Sequence, residues 1–100
     1  MSKGIELIAV ERRRQIEKEG WTAEHDKQHK KGEMALAAAC YAIPEERRYD
    51  MSPIIEGDVW PWAPKWWKPT PGDRVRELTK AGALIAAEID RICAKRKGIR

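Results

Sequence analysis

All six prolines of the chain fall between Pro44 and Pro71, and this distribution limits where long helices can form. Proline has no backbone N–H and interrupts helices, so extended helices are expected before and after this stretch but not within it. The sequence is 42% hydrophobic and 36% charged, which is typical of a helix-rich globular protein. One hundred residues predict a single domain that spans residues 1–100.

The first helix is predicted at residues 4–19. Four residues recur at helical spacing and are expected to share one face: Ile5, Ile8, Arg12 and Ile16. Glu11 and Arg14 are expected to be solvated. Gly20 should end this helix, because glycine readily adopts the left-handed conformation of a helix C-terminus.

Two further helices are predicted. The first runs from Glu33 to the residues before Pro44 and is rich in alanine. The last starts with Thr70 as N-cap and Pro71 as first helical residue, with Asp73 completing a capping box, and continues to about Lys97. Its apolar residues recur at alternating spacings of four and three: Leu78, Gly82, Ile85, Ile89 and Ile92. Such a long helix is expected to pack across the subunit boundary of a homo-oligomer.

Tryptophan is unusually frequent, with five residues in the chain and no phenylalanine. Four of them stand in the proline-rich segment: Trp60, Trp62, Trp66 and Trp67. Their apolar area favours an ordered Trp/Pro-rich loop that packs on the helices. The rings can form the core of a small protein, or they can stack on a flat ligand while Lys65 and Lys68 contact its phosphate.

The segment between the first two helices holds both histidines. His25, His29 and Glu33 follow one another at four-residue spacing, a geometry that can bind a divalent metal on a continuous helix. Gly32 interrupts that helix, and the neighbouring lysines oppose a cation. Structural capping and recognition of a ligand without metal therefore rank above a metal site, and no metal or cofactor is expected.

Cys40 and Cys93 both lie on apolar helical faces and are interpreted as buried free thiols, with a disulfide or a shared metal as alternatives. No apolar run approaches the roughly 20 residues of a membrane span, so a membrane partner is not expected. The N-terminus leads into an amphipathic pattern instead of a signal sequence, which indicates a cytoplasmic location.

The sequence lacks the motifs of two enzyme classes. The all-α nucleotide pyrophosphohydrolases hold magnesium with Glu-x-x-Glu and Glu-x-x-Asp pairs, but the acids here stand as Glu17-Lys18-Glu19, Glu45-Glu46 and Glu88-Ile89-Asp90. Nucleophilic catalysis lacks the Gly-x-Ser-x-Gly motif and any phosphate-binding glycine loop. An enzyme is therefore the less favoured interpretation, and no catalytic residue is assigned.

Several segments of the sequence together form a pattern that is specific enough to identify similar proteins. It comprises the residues 8–15, Glu19-Gly20-Trp21-Thr22 with Glu24-His25-Asp26 and His29, Trp60-Pro61-Trp62, and Trp66-Trp67-Lys68-Pro69. Together with the helical segments beside it, this pattern resembles a family of small uncharacterised proteins encoded by tailed phages and prophages. The resemblance covers most of the chain. It implies a phage accessory role in the cytoplasm of the host cell and carries over no catalytic residues.

The sequence thus predicts an all-α fold of three main helices and an accessory protein that binds a nucleotide-like small molecule. Sequestration of a host immune signalling nucleotide is the leading hypothesis. A pyrophosphohydrolase-like enzyme and an inhibitor of a host protein are the alternatives, and nucleic acid is not an expected partner. Stacking is assigned to Trp21, Trp60, Trp62 or Trp67, polar contacts to His25, Asp26 and His29, and phosphate contacts to Arg12, Lys65 and Lys68.

Overall fold

The computed structural model describes residues 2–22, 28–48 and 59–95. All regular structure in these ranges is helical, which confirms the predicted all-α class. The three main helices are α1 (Lys3–Glu19), α2 (Glu33–Ala42) and α3 (Arg74–Lys95), and a short 3-10 helix lies at Pro64–Trp66. No helix of the described ranges has the length and apolar character that a membrane crossing requires.

Both ends of α1 follow local sequence signals. The Ser2 hydroxyl accepts a hydrogen bond from the Ile5 N–H at 3.2 Å and caps the first turn. Gly20 ends the helix in the left-handed conformation with φ 74°, and its N–H donates to the Gln15 carbonyl. The predicted end of the first helix is confirmed, because glycine adopts this conformation without the steric cost that a Cβ would add.

The start of α3 differs from its prediction by three residues. Thr70, Pro71, Gly72 and Asp73 form a turn in which the Asp73 N–H donates to the Thr70 carbonyl at 2.9 Å and Gly72 has φ 84°. Proline second and glycine third are the pattern of a type II turn. Asp73 is the cap, since its Oδ1 accepts from the Arg76 N–H at 3.1 Å. The prediction of Thr70 as N-cap was therefore wrong.

The core lies between α2 and α3. Ala37, Ala38 and Cys40 of α2 are fully buried against Leu84 and Ala87 of α3, together with Ala81. Small side chains allow two helices to approach closely, as the alanine-rich sequence indicates. Cys40 is a buried free thiol as predicted, but Cys93 lies exposed near the end of α3, so its predicted burial was wrong.

Helix α1 packs on α3 through Ile8 of the predicted face and also through polar side chains, which the prediction did not place in this contact. Glu11 and Gln15 are the buried residues of α1, with exposed fractions of 3% and 2%, whereas Ile5 and Ile16 are exposed. Arg76 of α3 explains the difference, because its Nη1 lies 2.6 Å from the Glu11 carboxylate and offsets the buried charge. The predicted solvation of Glu11 was wrong.

Glu77 of α3 forms hydrogen bonds that connect α3 to the residues that precede and follow the four tryptophans of positions 60–67. Its buried carboxylate oxygen Oε2 accepts hydrogen bonds from Arg48 Nη1 at 2.7 Å and from the Thr70 N–H at 3.0 Å. Burial by itself raises the pKa of Glu77, but the hydrogen bond and charge of Arg48 outweigh it and lower that pKa. Arg48 also donates to the Tyr41 carbonyl, so this network joins α2, α3 and the tryptophan-bearing segment.

Candidate ligand-binding cleft

A cleft of about 430 Å³ lies where the end of α1, the helices α2 and α3 and the tryptophan-bearing segment meet, and we call it the aromatic cleft. Its aromatic lining consists of Trp21, Tyr41, Trp60, Trp62 and Trp66. Its polar lining consists of Arg14, Gln15, Glu19, His29, Lys68 and Lys80. Met34 and Leu84 complete the wall. The volume lies within the range of small-molecule sites, about 300–1,000 Å³.

Trp60 anchors the aromatic wall. It is 8% exposed, its ring meets those of Tyr41 and Trp62 nearly at right angles at 5.8 and 5.5 Å, and its Nε1 donates to the Ala63 carbonyl at 3.1 Å. Edge-to-face contacts of this kind are favourable arrangements of aromatic rings. Since most of the ring is covered, Trp60 belongs to the core, and its assignment as a stacking platform is corrected.

Trp67 lies outside the lining of the cleft. Its ring packs against Tyr41 and Trp60 at centroid distances of 4.8 and 5.0 Å, and the Arg48 guanidinium lies 5.4 Å from its centroid. Trp66, in contrast, lines the cleft and is 54% exposed. Trp66 was not among the predicted stacking rings, whereas its neighbour Trp67 was.

Two lysines place positive charge on the cleft wall. Lys80 Nζ donates to the Lys68 carbonyl at 2.9 Å and lies 5.4 Å from the centre of the Tyr41 ring. Burial and the nearby Arg76 charge lower the pKa of Lys80 below its usual value. Lys68 Nζ lies 5.6 Å from the centre of the Trp66 ring. An anionic group in the cleft would be favoured by both ammonium groups.

Arg14 is held in place by two acids. Its Nε and Nη2 each donate to the Glu11 carboxylate at 2.9 Å, and its Nη1 donates to Glu19 at 2.9 Å. Burial alone raises the pKa of Glu11, but hydrogen bonds from Arg14 and Arg76 outweigh it and lower that pKa to about 2. Glu11 is thus a carboxylate at neutral pH and orients Arg14 at the edge of the cleft.

His29 joins the turn before α2 to the aromatic wall. Its ring meets Trp62 edge-on at 5.4 Å, and its Nδ1 lies 3.8 Å from Glu33 Oε2. His25 and Asp26, which were predicted to act with it, lie outside the described residues. Within the described ranges, no group of three or more His, Cys, Asp or Glu side chains could hold a metal ion.

Two polar atoms of the cleft residues, Gln15 Oε1 and Trp62 Nε1, are sealed from solvent and have no hydrogen-bond partner among the described residues. Gln15 is oriented by its own Nε2, which donates to Glu11 Oε2 at 3.3 Å. The glutamate can only accept, so the amide nitrogen faces it and the amide oxygen is the unpaired atom. Unpaired buried polar atoms are uncommon in folded proteins.

The structure brings together five of the predicted site residues and separates three from them. Those in the cleft are Trp21, His29, Trp60, Trp62 and Lys68. Arg12 instead donates to the Trp21 carbonyl at 3.0 Å and pairs with Asp90 at 3.5 Å, so it supports Trp21 from outside. Lys65 lies 5.2 Å from the centre of the Trp66 ring and does not line the cleft, and neither does Trp67.

Sequence reasoning missed Arg14, Gln15, Tyr41, Trp66 and Lys80. Lys80 carried a signal, because it shares a helical face with Leu84 and Glu77 at spacings of four and three. Arg14 and Gln15 carried none, since they stand in a charged stretch that is typical of a solvated face. Their burial depends on the contact with α3.

Comparisons of the chain with protein families, with curated proteins and with solved structures found no match. The function proposed for this protein therefore rests on the residues of the aromatic cleft.

Proposed function

We propose that the protein binds a nucleotide-like small molecule in the aromatic cleft. One observation carries this proposal, namely that partly exposed indole rings and ammonium groups line the same cavity. Trp21 is partly buried and Trp66 is exposed, so these two rings offer surface on which a base can stack. Lys68 and Lys80 offer charge for a phosphate.

The charge balance of the cleft favours an anion. Its lining contains three cations, Arg14, Lys68 and Lys80, and one acid, Glu19. Glu19 is paired with Arg14, so the two lysines determine the sign of the field that a ligand meets. A phosphate beside Lys80 would also favour its charged form, which burial disfavours.

The residues of the aromatic cleft favour binding of the ligand without its chemical conversion. The two most buried acids, Glu11 and Glu77, are each held by arginines and are not arranged as a magnesium site. Sequestration of a signalling nucleotide by a phage accessory protein agrees with such a site. The pyrophosphohydrolase-like alternative would require carboxylates that converge on a metal. Inhibition of a host protein would instead use the exposed ring of Trp66 with Lys65.

The proposal is tested by titration with a panel of nucleotides. The panel contains the 5′-mono- and diphosphates of the four common nucleosides and 3′,5′-cyclic AMP and GMP, followed by tryptophan fluorescence and calorimetry. At least one member is expected to quench fluorescence and to bind less tightly as salt increases, since salt screens the lysine charges. If no member changes the fluorescence or releases heat, the proposal fails.

Two lysines provide a matched pair for the phosphate contact. Lys80→Gln removes a charge from the cleft and is expected to weaken binding by roughly ten- to one hundred-fold, the usual effect of losing a charged hydrogen bond. Lys65→Gln removes the same charge outside the cleft and should leave the affinity within about twofold. Equal losses in both variants would mean that only the overall charge matters.

We also propose that α3 joins two copies of the protein. Five apolar residues of α3 recur at spacings of three, four or seven, which is the pattern of a coiled-coil seam: Val75, Leu78, Ile85, Ile89 and Ile92. Most of this stripe is exposed in the single chain, and the exposed fraction of Ile89 is 53%. A stripe of this pattern is complementary to a second copy of itself, and α3 thereby supports the expected homo-oligomer.

A further inference from the structure

The two unpaired polar atoms of the cleft differ in hydrogen-bonding character. Gln15 Oε1 is an acceptor whose orientation is set by the bond from Nε2 to Glu11 Oε2. The indole N–H of Trp62 can only donate. The cleft thus holds one acceptor and one donor whose hydrogen bonds are made neither with the described protein residues nor with solvent.

We infer that these two atoms recognise the edge of a flat nitrogen heterocycle that carries both a hydrogen-bond donor and an acceptor. Gln15 Oε1 accepts from an N–H or amino group of the ring, and Trp62 Nε1 donates to a ring nitrogen or carbonyl oxygen. Nucleobases present such groups on their Watson–Crick edges, and proteins read them while the ring stacks on aromatic side chains. This inference rests on the proposed function and adds the part of the ligand that determines specificity.

Two features of the cleft favour this use over a purely structural one. Gln15 is 2% exposed and still has an unpaired oxygen, although the burial of unpaired polar atoms is costly. The Trp62 ring is only partly buried and its neighbour His29 lies on the same wall. Both atoms are covered, so binding requires a movement of the Trp62 ring while Gln15 keeps the orientation set by Glu11, and the new hydrogen bonds to the ligand compensate for that movement.

Trp60 and Trp62 provide a pair of variants, because only the indole N–H of Trp60 has a hydrogen-bond partner among the described residues. The Trp60 N–H donates to the Ala63 carbonyl, whereas the Trp62 N–H has no partner. Trp60→Phe should lower the melting temperature because it breaks a hydrogen bond of the folded protein. Trp62→Phe keeps an aromatic ring and removes an unpaired donor, so the melting temperature should be unchanged or higher.

The affinity of Trp62→Phe and of Gln15→Met is then measured with the nucleotide of the panel above that binds the wild type most tightly. Each variant is expected to lose roughly tenfold or more, because a bound base then has an unpaired group against the cleft wall. Trp62→Phe decides the question if Gln15→Met does not fold.

The outcomes separate the two proposals. Binding by Trp62→Phe within about twofold of the wild type, with Gln15→Met equally unaffected, would overturn the recognition of the ring edge and leave the proposed nucleotide binding intact. A wild type that binds no nucleotide of the panel would refute nucleotide binding itself, and the edge recognition with it. A loss in Trp62→Phe without a lower melting temperature would support both.

Discussion

Glu11 places a negative charge in the contact between α1 and α3, where its exposed fraction is 3%. The Glu11 carboxylate accepts three guanidinium hydrogen bonds, two from Arg14 and one from Arg76. These bonds offset the free-energy cost of burying its charge. The same carboxylate orients the Gln15 amide. One buried acid therefore connects the stability of the helix pair with the polar wall of the cleft.

Glu11→Gln is expected to lower the free energy of unfolding at neutral pH. The substitution leaves Arg76 without its counter-charge and Arg14 with Glu19 alone. Breaking a fully buried pair costs about 3–5 kcal/mol. Both arginine side chains are about one-third exposed, with fractions of 39% and 32%, so water offsets part of the loss. We expect about 2–3 kcal/mol in denaturant titrations.

The pH dependence of that variant provides the control. The folded-state pKa of Glu11 lies near 2, below its usual value of 4.5, so its contribution to stability is complete above 4.5 and is lost as the pH falls toward 2. Glu11→Gln should lack this part of the acid destabilisation. Glu6→Gln, an exposed acid on the same helix, should retain it. An unchanged pH profile in Glu11→Gln would show that the ion pairs contribute nothing.

At the scale of helices, the contact of α1 with α3 depends on Gly82. A Cβ at this position would lie 2.7 Å from Cγ1 of Ile8, closer than nonbonded carbons approach. Glycine lowers the intrinsic stability of a helix by about 1 kcal/mol relative to alanine. Its presence inside α3 is explained by the close approach of Ile8.

Gly82→Ala is expected to destabilise the protein by about 1–2 kcal/mol, because overpacking outweighs the better helix propensity of alanine. The matched background is Ile8→Ala, which removes the clashing atoms. There the same change at Gly82 should be neutral or stabilising by up to about 1 kcal/mol. Denaturant unfolding of the four proteins measures the coupling between the two positions. Equal effects of Gly82→Ala in both backgrounds would exclude Ile8 as the cause.

At the scale of the whole molecule, the exposed stripe of α3 is the expected contact between two copies. Ile85→Asp should raise the dissociation constant of a dimer by more than roughly tenfold, since burial of an isoleucine side chain contributes about 1.5–3 kcal/mol. Ile85 is about half exposed in the single chain, so the fold of the monomer should persist. Sedimentation at several protein concentrations measures the change.

Ala39→Asp is the control for that experiment, because it adds the same charge at an exposed position of α2. It should sediment as the wild type does. A wild type that sediments as a monomer at all concentrations would refute the dimer. So would an Ile85→Asp variant whose size distribution matches that of the control.

The sequence by itself determined where the helices lie, because the signals are local. Gly20 and the alanine-rich run of α2 act on neighbouring backbone atoms, and the predicted end of α1 and the predicted helix α2 are confirmed. The prolines between residues 44 and 71 act in the same way, and the described part of that stretch contains no long helix. The aromatic segment was also recognisable as a candidate for ligand contact. The first residue of α3 was predicted less well, because Thr70 and Asp73 are both suitable N-cap residues. The turn at Gly72 delays the start of the helix, so that Asp73 is the N-cap.

Only the tertiary structure decided which side of α1 faces inward and which residues form the cleft. Periodicity favoured the face of Ile5 and Ile16. Of the two arginines that pair with Glu11, Arg14 lies on α1 itself, but Arg76 lies on α3, 65 residues away along the chain. Gln15 meets Trp62 and Lys80 in one cleft for the same reason, since α1, the aromatic segment and α3 converge there. A charge is stable inside a protein when its partner is present, and no pattern within α1 contains that information.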